Sequence, residues 1–348
     1  MINGGKLMRI ITWRSSVRCV LYVVALGGAM SLLINMPGRS WRGTLPPLPE
    51  AQRALAGELR RDVTHLAVGI GARNVWRPER MSAAADMIIA ELSTAGLSVV
   101  QYSYNIGIMQ CVNIEATLRG ATHPDEIIVI GAHYDTVDET PGADDNASGV
   151  AGLLALARAA GRYRPARTLR FVAFANEEPP FFQTEQMGSV VYAGLCRARG
   201  DDIRAMLCLE MLGYYRDEKG SQWYPPVLGP VLRPFFPSEG NFIGFVSTLR
   251  SLRGLRQTVG AFRRAAQFPS EGAVLPAVLS GLSDNWAFWQ HGYPAVMVTD
   301  TAMFRNPHYH TAGDLPETLD FERMARVVSG LEAVMIELAG GDAGQEHD

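Results

Sequence analysis

Between residues 97 and 299 the chain alternates short apolar runs with stretches of helical spacing. The runs fall at 97–103 (LSVVQYS), 111–117 (CVNIEAT), 126–132 (EIIVIGA), 168–174 (TLRFVAF), 205–211 (AMLCLEM), 242–248 (FIGFVST) and 295–299 (AVMVT). A strand apolar at successive positions is buried on both faces, which requires covering layers above and below. Helical periodicity at 50–68, 79–96, 147–160, 187–198, 249–265 and 320–339 supplies them. The pattern predicts an α/β fold with a mostly parallel central sheet flanked by helices on both faces, in one domain spanning residues 50–340. Residues 214–240, rich in Pro, Gly and aromatics, read as a long loop, and 341–348 as a disordered tail.

Composition narrows the partners. Lys and Arg number 32 against 35 Asp and Glu, a formal net charge of −3. No basic excess exists to neutralise phosphates, which argues against nucleic acid as a partner. Four cysteines in 348 residues are too few for a disulfide framework. With Cys19 in an apolar segment, Cys111, Cys196 and Cys208 remain, and spacing leaves a Cys196–Cys208 bond open.

The first 49 residues form a separate unit. Lys6, Arg9, Arg14 and Arg18 precede Cys19–Ile34, a run of 16 residues without a charge that Asn35 and Met36 extend. That length reaches the lower end of the roughly 17–25 residues a membrane span needs. The predicted organisation is a basic cytoplasmic segment (1–18), a single-pass transmembrane signal-anchor (19–36) and a Pro-rich linker (37–49). The catalytic domain would then lie on the outer, periplasmic or extracytoplasmic, side of the cytoplasmic membrane. Gly27-x-Ala29 leaves cleavage open.

Chemistry enters at the strand ends, where sheets of this kind bind ligands. The run 126–132 leads into His133-Tyr134-Asp135, an imidazole followed by a carboxylate able to hold its second nitrogen. Asp144-Asp145-Asn146 opens the helix near 147, and 168–174 exits into Glu177-Glu178-Pro179-Pro180. Glu210 sits among apolar neighbours, where a carboxylate is costly unless paired or metal-bound. Asn306-Pro307-His308-Tyr309-His310 follows 295–299, and one of its two histidines is expected as a ligand. Each motif alone has a dull explanation, in capping, surface polarity or a structural ion pair. Together they give nitrogen and carboxylate donors without thiolate, a set suited to Zn²⁺ in a hydrolytic site.

This ordered set resembles the M28 family of zinc peptidases, the di-zinc aminopeptidases. The matching stretches are GAHYDTV (131–137), PGADDNASGVA (141–151), FVAFANEE (171–178), LEMLGY (209–214), SDNWAFWQHGYPAVMVTD (283–300) and NPHYHT (306–311). The resemblance implies two zinc ions per chain and hydrolysis of peptides with a free N-terminus. It implies His133 and Glu210 as ligands of one ion, Glu178 and His310 of the other, and Asp145 as the bridge. It further implies Asp135 as the residue orienting His133, Glu177 as general base, Tyr309 as a candidate oxyanion stabiliser, and Asp284 as a structural acid near the pocket. Three departures stand out: Glu210 where many members have Asp, a lengthened loop at Pro179–Met187, and Asn285 where His is frequent. Phe181, Phe182 and residues 223–237 either line an apolar specificity pocket or pack the loop down. The alternatives are a single-zinc glutaminyl cyclase-like acyltransferase, a family carboxypeptidase or dipeptidase, and a non-catalytic ectodomain. Oligomeric state is not legible.

Overall fold

A computed structural model describes residues 35–225 and 229–341, together with residues 18, 21 and 22. Its frame is one eight-stranded sheet: β1 Ser98–Ile106, β2 Met109–Leu118, β3 His123–His133, β4 Arg167–Phe174, β5 Asp202–Glu210, β6 Ile243–Ser247, β7 Ser270–Val274 and β8 Ala295–Thr299. The order across the sheet is β1-β2-β4-β3-β5-β8-β6-β7. The main helices are α1 Glu50–Thr64, α2 Pro78–Thr94, α3 Gly149–Ala160, α4 Gly188–Arg199, α5 Leu252–Ala265, α6 Asn285–Gln290 and α7 Phe321–Ala339.

The four central strands, β4-β3-β5-β8, are parallel, as is the β6–β7 pair. β1–β2, β2–β4 and β6–β8 are antiparallel, so the sheet is mixed rather than mostly parallel. The physical reason lies partly at Gly107-Ile108, the only residues between β1 and β2. A two-residue connection can join only antiparallel strands, and Gly107 takes the positive φ of 60° that the turn demands.

Alternation along the strands sorts the core into two layers. Ile128, Ile130 and Ala132 of β3 face the larger cluster, with residues of α1, α2, α3, α5 and α7. Ile127 and Val129 face the smaller one, with Tyr192 and Cys196 of α4 and Phe288 of α6. Helix α3 (GVAGLLALARAA) is buried at 11 of its residues, as a helix apolar all round must be.

The sequence pattern did not announce β7 (SEGAV), an edge strand with little apolar content, or α6. The described residues 214–225 and 229–240 form loop, with a short helical turn at Gly229–Leu232 and a Lys219–Glu239 bridge. Cys111, Cys196 and Cys208 are buried free thiols, so no Cys196–Cys208 bond is formed. Most of the predicted membrane span, residues 19–20 and 23–34, lies outside the described residues, as does 342–348 of the tail. No helix among the described residues is long and apolar enough to cross a membrane.

Residues 35–46 are laid against the domain. Arg256 donates to the Asn35 carbonyl at 2.7 Å, Arg263 reaches the carbonyls of Met36, Pro37 and Gly38 at 3.3–3.4 Å, and Arg326 donates to that of Pro46. Met36 is buried against Gly272 of β7.

Candidate metal centre

The carboxyl ends of β4, β3, β5 and β8 open side by side, where a sheet of this topology leaves room for a ligand. β3 ends on His133 and β5 on Glu210, and β4 continues into Glu177 and Glu178. Asp145 lies between β3 and α3, and His310 follows β8. His133 Nε2 is 3.3 Å from Asp145 Oδ1 and 3.3 Å from Glu210 Oε2. His310 Nε2 is 3.1 Å from Asp145 Oδ2 and 3.2 Å from Glu178 Oε2. Asp145 therefore turns one oxygen towards each histidine.

Two sets of donors result, His133/Asp145/Glu210 and Asp145/Glu178/His310, with the atoms of each set within 4.8 Å of one another. His133 Nε2, His310 Nε2, Asp145 Oδ1 and Glu178 Oε1 are buried without a hydrogen-bond partner. Such atoms cost about 1–3 kcal/mol each if left so, and a cation between them removes that cost. The donors fit zinc: imidazole nitrogen and carboxylate oxygen, with no thiolate. Glu177 belongs to neither set, its Oε2 standing 4.0 Å from His133 Nε2.

The cluster is held from behind by groups that fix backbone. Asp135 accepts the N–H groups of Glu177 and Glu178, both at 3.0 Å, and its Oδ1 lies 3.4 Å from His133 Nδ1. One carboxylate thus sets both the imidazole and the Glu pair. Asp314 mirrors it, accepting the N–H groups of Asp144 (2.9 Å) and Asp145 (3.0 Å). Ser283 Oγ donates to Glu210 Oε2 at 2.6 Å. Fully buried Arg73 donates to the carbonyls of Tyr134, Pro141 and Gly142 at 2.6–3.0 Å, stitching together the loop that carries Asp145. Sequence reasoning missed Asp314, Ser283 and Arg73. A single acid, hydroxyl or arginine in a loop carries no periodic or motif signal.

Burial dominates the electrostatics. It pushes the Glu177 carboxyl well above the usual range, against the pull of His133, and raises Glu178 to about 8. Burial opposes the charge on His310, but Asp145 and Glu178 outweigh it and raise the imidazole to about 10. Asp145 goes the other way: burial would raise its carboxyl, yet hydrogen bonds from His133 and His310 hold it below the ordinary range.

The remaining candidates separate clearly. Tyr309 stacks on the His310 imidazole with ring centres 3.7 Å apart, whereas His308 packs edge-on against Tyr214. Asp284 is fully buried, its carboxyl pushed up to about 7 by burial, and the Asn285 amide donates to the Ser280 carbonyl. An apolar cavity of about 970 Å³, its open mouth included, adjoins Glu210 and Tyr309. Trp223, Tyr224, Leu232 and Phe236 of the 214–240 loop line it, with Trp223 stacked on Phe304. Phe181 instead lies with Trp76 in a small cleft beside Glu178.

The profile of Peptidase family M28 matches residues 113–335. The uncharacterized protein YfbL of Escherichia coli (strain K12) is 35% identical over 301 residues, covering 84% of this chain and 90% of that protein. A probable zinc metalloprotease of Leptosphaeria maculans is 26% identical over 338 residues, covering 82% and 76%. Among solved structures, BSAP, a zinc aminopeptidase from Bacillus subtilis, shares the fold with a TM-score of 0.66 at 14% identity, covering 83% of this chain and 96% of that one.

Proposed function

Because the chain belongs to peptidase family M28, and is thus a hydrolase of peptides, we propose that it is a di-zinc aminopeptidase removing N-terminal residues. The observation that carries two ions rather than one is the division of the Asp145 carboxylate, with Oδ1 towards His133 and Oδ2 towards His310. In this reading His133, Asp145 and Glu210 hold one ion and Asp145, Glu178 and His310 the other. Zinc in such a site supplies Lewis-acid polarisation and a water whose pKa is lowered to about 7.

The protein's own groups do the rest. Glu177, beside both donor sets but in neither, takes the proton of the attacking water and delivers it to the departing amine nitrogen. Asp135 keeps the His133 ring and the Glu177–Glu178 backbone in place. Tyr309 donates its hydroxyl to the oxyanion. The substrate's free amine lies near Glu210, and the side chain of its first residue enters the apolar cavity, favouring large apolar residues. The full protein is held by residues 19–36 as a single-pass anchor, with the domain outside the cytoplasmic membrane.

The test is zinc content together with turnover of aminoacyl-anilides and their N-acetylated counterparts. Two zinc per chain and cleavage of free-amine substrates alone support the reading. One zinc with cyclisation of N-terminal Gln would replace it with an acyltransferase, and equal cleavage of blocked and free substrates would remove the grip on the amine.

A further inference from the structure

Residues 249–266, which form α5 and its flanks, read LRSLRGLRQTVGAFRRAA, five arginines and no acid. Arg263 serves the carbonyls of residues 36–38 and of Ser270, and Arg264 pairs with Glu337. Arg250 and Arg253 lie exposed at the amino-terminal end of the helix, while the exposed Arg39 and Arg42 lie on the segment beyond its carboxyl end. Leu249, at the same end, is 65% exposed.

The segment runs parallel to α5. Asn35 meets Arg256, Pro37 meets Gly260, and Gly38 meets Arg263. Going back along the segment from Gly38 to Asn35 therefore leads towards Arg253 and Arg250. The residues that join the fold at Asn35 are the uncharged run Cys19–Ile34. A run suited to acyl chains and a cluster of arginines suited to phosphates thus meet at one edge of the domain. We propose that the outer face of α5, centred on Arg250 and Arg253, docks on anionic phospholipid headgroups. Arginine is well matched to phosphate oxygens, and each basic residue near an anionic leaflet contributes roughly a fivefold gain in partition. The position of this surface, though not its charge, rests on reading 19–36 as a membrane anchor.

The docking has an orientation. Gly244, Val246 and Ala273 line the apolar cavity, whereas Ile243 and Phe245 pack in one cluster with Leu255, Val259 and Phe262 of α5. Alternation along the strand puts these two sets on opposite faces of the sheet. A bilayer against α5 lies behind the sheet and leaves the cavity facing away.

The experiment places the full-length protein in vesicles of phosphatidylcholine alone or mixed with phosphatidylglycerol and follows hydrogen exchange over residues 249–256. Slower exchange in the anionic vesicles is expected, several-fold at low salt and lost at about 0.5 M salt, where screening acts within a few ångströms. Arg250→Glu with Arg253→Glu should remove the effect, and the milder pair Arg250→Gln with Arg253→Gln should remove most of it, while β3 exchange stays unchanged as a check on folding. Equal exchange in both lipids, or a lipid-dependent slowing that survives the double reversal, overturns the proposal. Carbonate-resistant flotation tests the anchor separately. Its failure removes the anchor alone, and the exchange difference still decides the docking.

Discussion

Glu177 and Glu178 are identical side chains one peptide apart, and their neighbours give them different work. Glu178 points an oxygen at His310 from 3.2 Å, while Glu177 stands 4.0 Å from His133. Glu177→Gln keeps the shape and removes the proposed base. A loss of about 10²- to 10⁴-fold in kcat is expected, with zinc content unchanged by metal analysis. Asp314 gives a second test, because it touches no proposed ligand side chain. Asp314→Asn turns an N–H₂ group towards one of the two backbone N–H donors it now satisfies, shifting the Asp145 backbone. Zinc affinity should fall about 10- to 100-fold, as for other groups that orient ligands, measured by competition with a chromophoric chelator. All eight predicted site residues are drawn into one centre. His133, Glu177, Glu178 and Glu210 sit at or just past the ends of β3, β4 and β5, so the apolar runs that mark those strands also locate them. The Asp314 and Arg73 contacts join positions 169 and 61–69 residues apart, beyond the reach of any local pattern.

At the level of elements, the strands that matter most were also the most legible. β3, β4, β5 and β8 are central and buried on both faces, and an apolar run is what double burial looks like in sequence. β7 was missed for the converse reason: as an edge strand with half-buried side chains it needs few apolar residues. The loop 214–240 was legible as a loop, but its role in walling the cavity depends on how it folds back over β6 and β7, which composition does not encode. Ala273 of β7 lines that cavity. Ala273→Phe should narrow it and shift substrate preference, lowering kcat/KM for Phe-anilide by about tenfold or more while sparing Ala-anilide, in line with 1–3 kcal/mol for a lost apolar fit. Equal losses on both substrates would show that the cavity does not receive the side chain.

For the whole molecule, the metal centre ties together β3, β4, β5, the start of α3 and the loop after β8, so zinc binding should be felt as global stability. The sign of its pH dependence follows from the raised values at Glu178 (about 8) and His310 (about 10). In the metal-free protein these groups hold protons that zinc must displace. As pH rises, fewer protons compete, and the gain in Tm on adding zinc should be larger at pH 8 than at pH 6. Calorimetry at both values, with and without a chelator, checks this.

The segment that leads into the domain has a further effect at the β7 edge of the sheet. β7 closes the strand order, and its outer flank is where a second molecule would add a strand. Ser40 Oγ accepts the Ser270 N–H at 2.9 Å, Arg263 takes the Ser270 carbonyl at 2.7 Å, and Met36 lies on Gly272. The lead-in thus works as a selvedge, finishing an edge that would otherwise fray into aggregates. A truncation made to discard the apolar run should therefore begin near residue 35. One beginning near residue 45 would remove the same apolar run and yet yield a stickier protein.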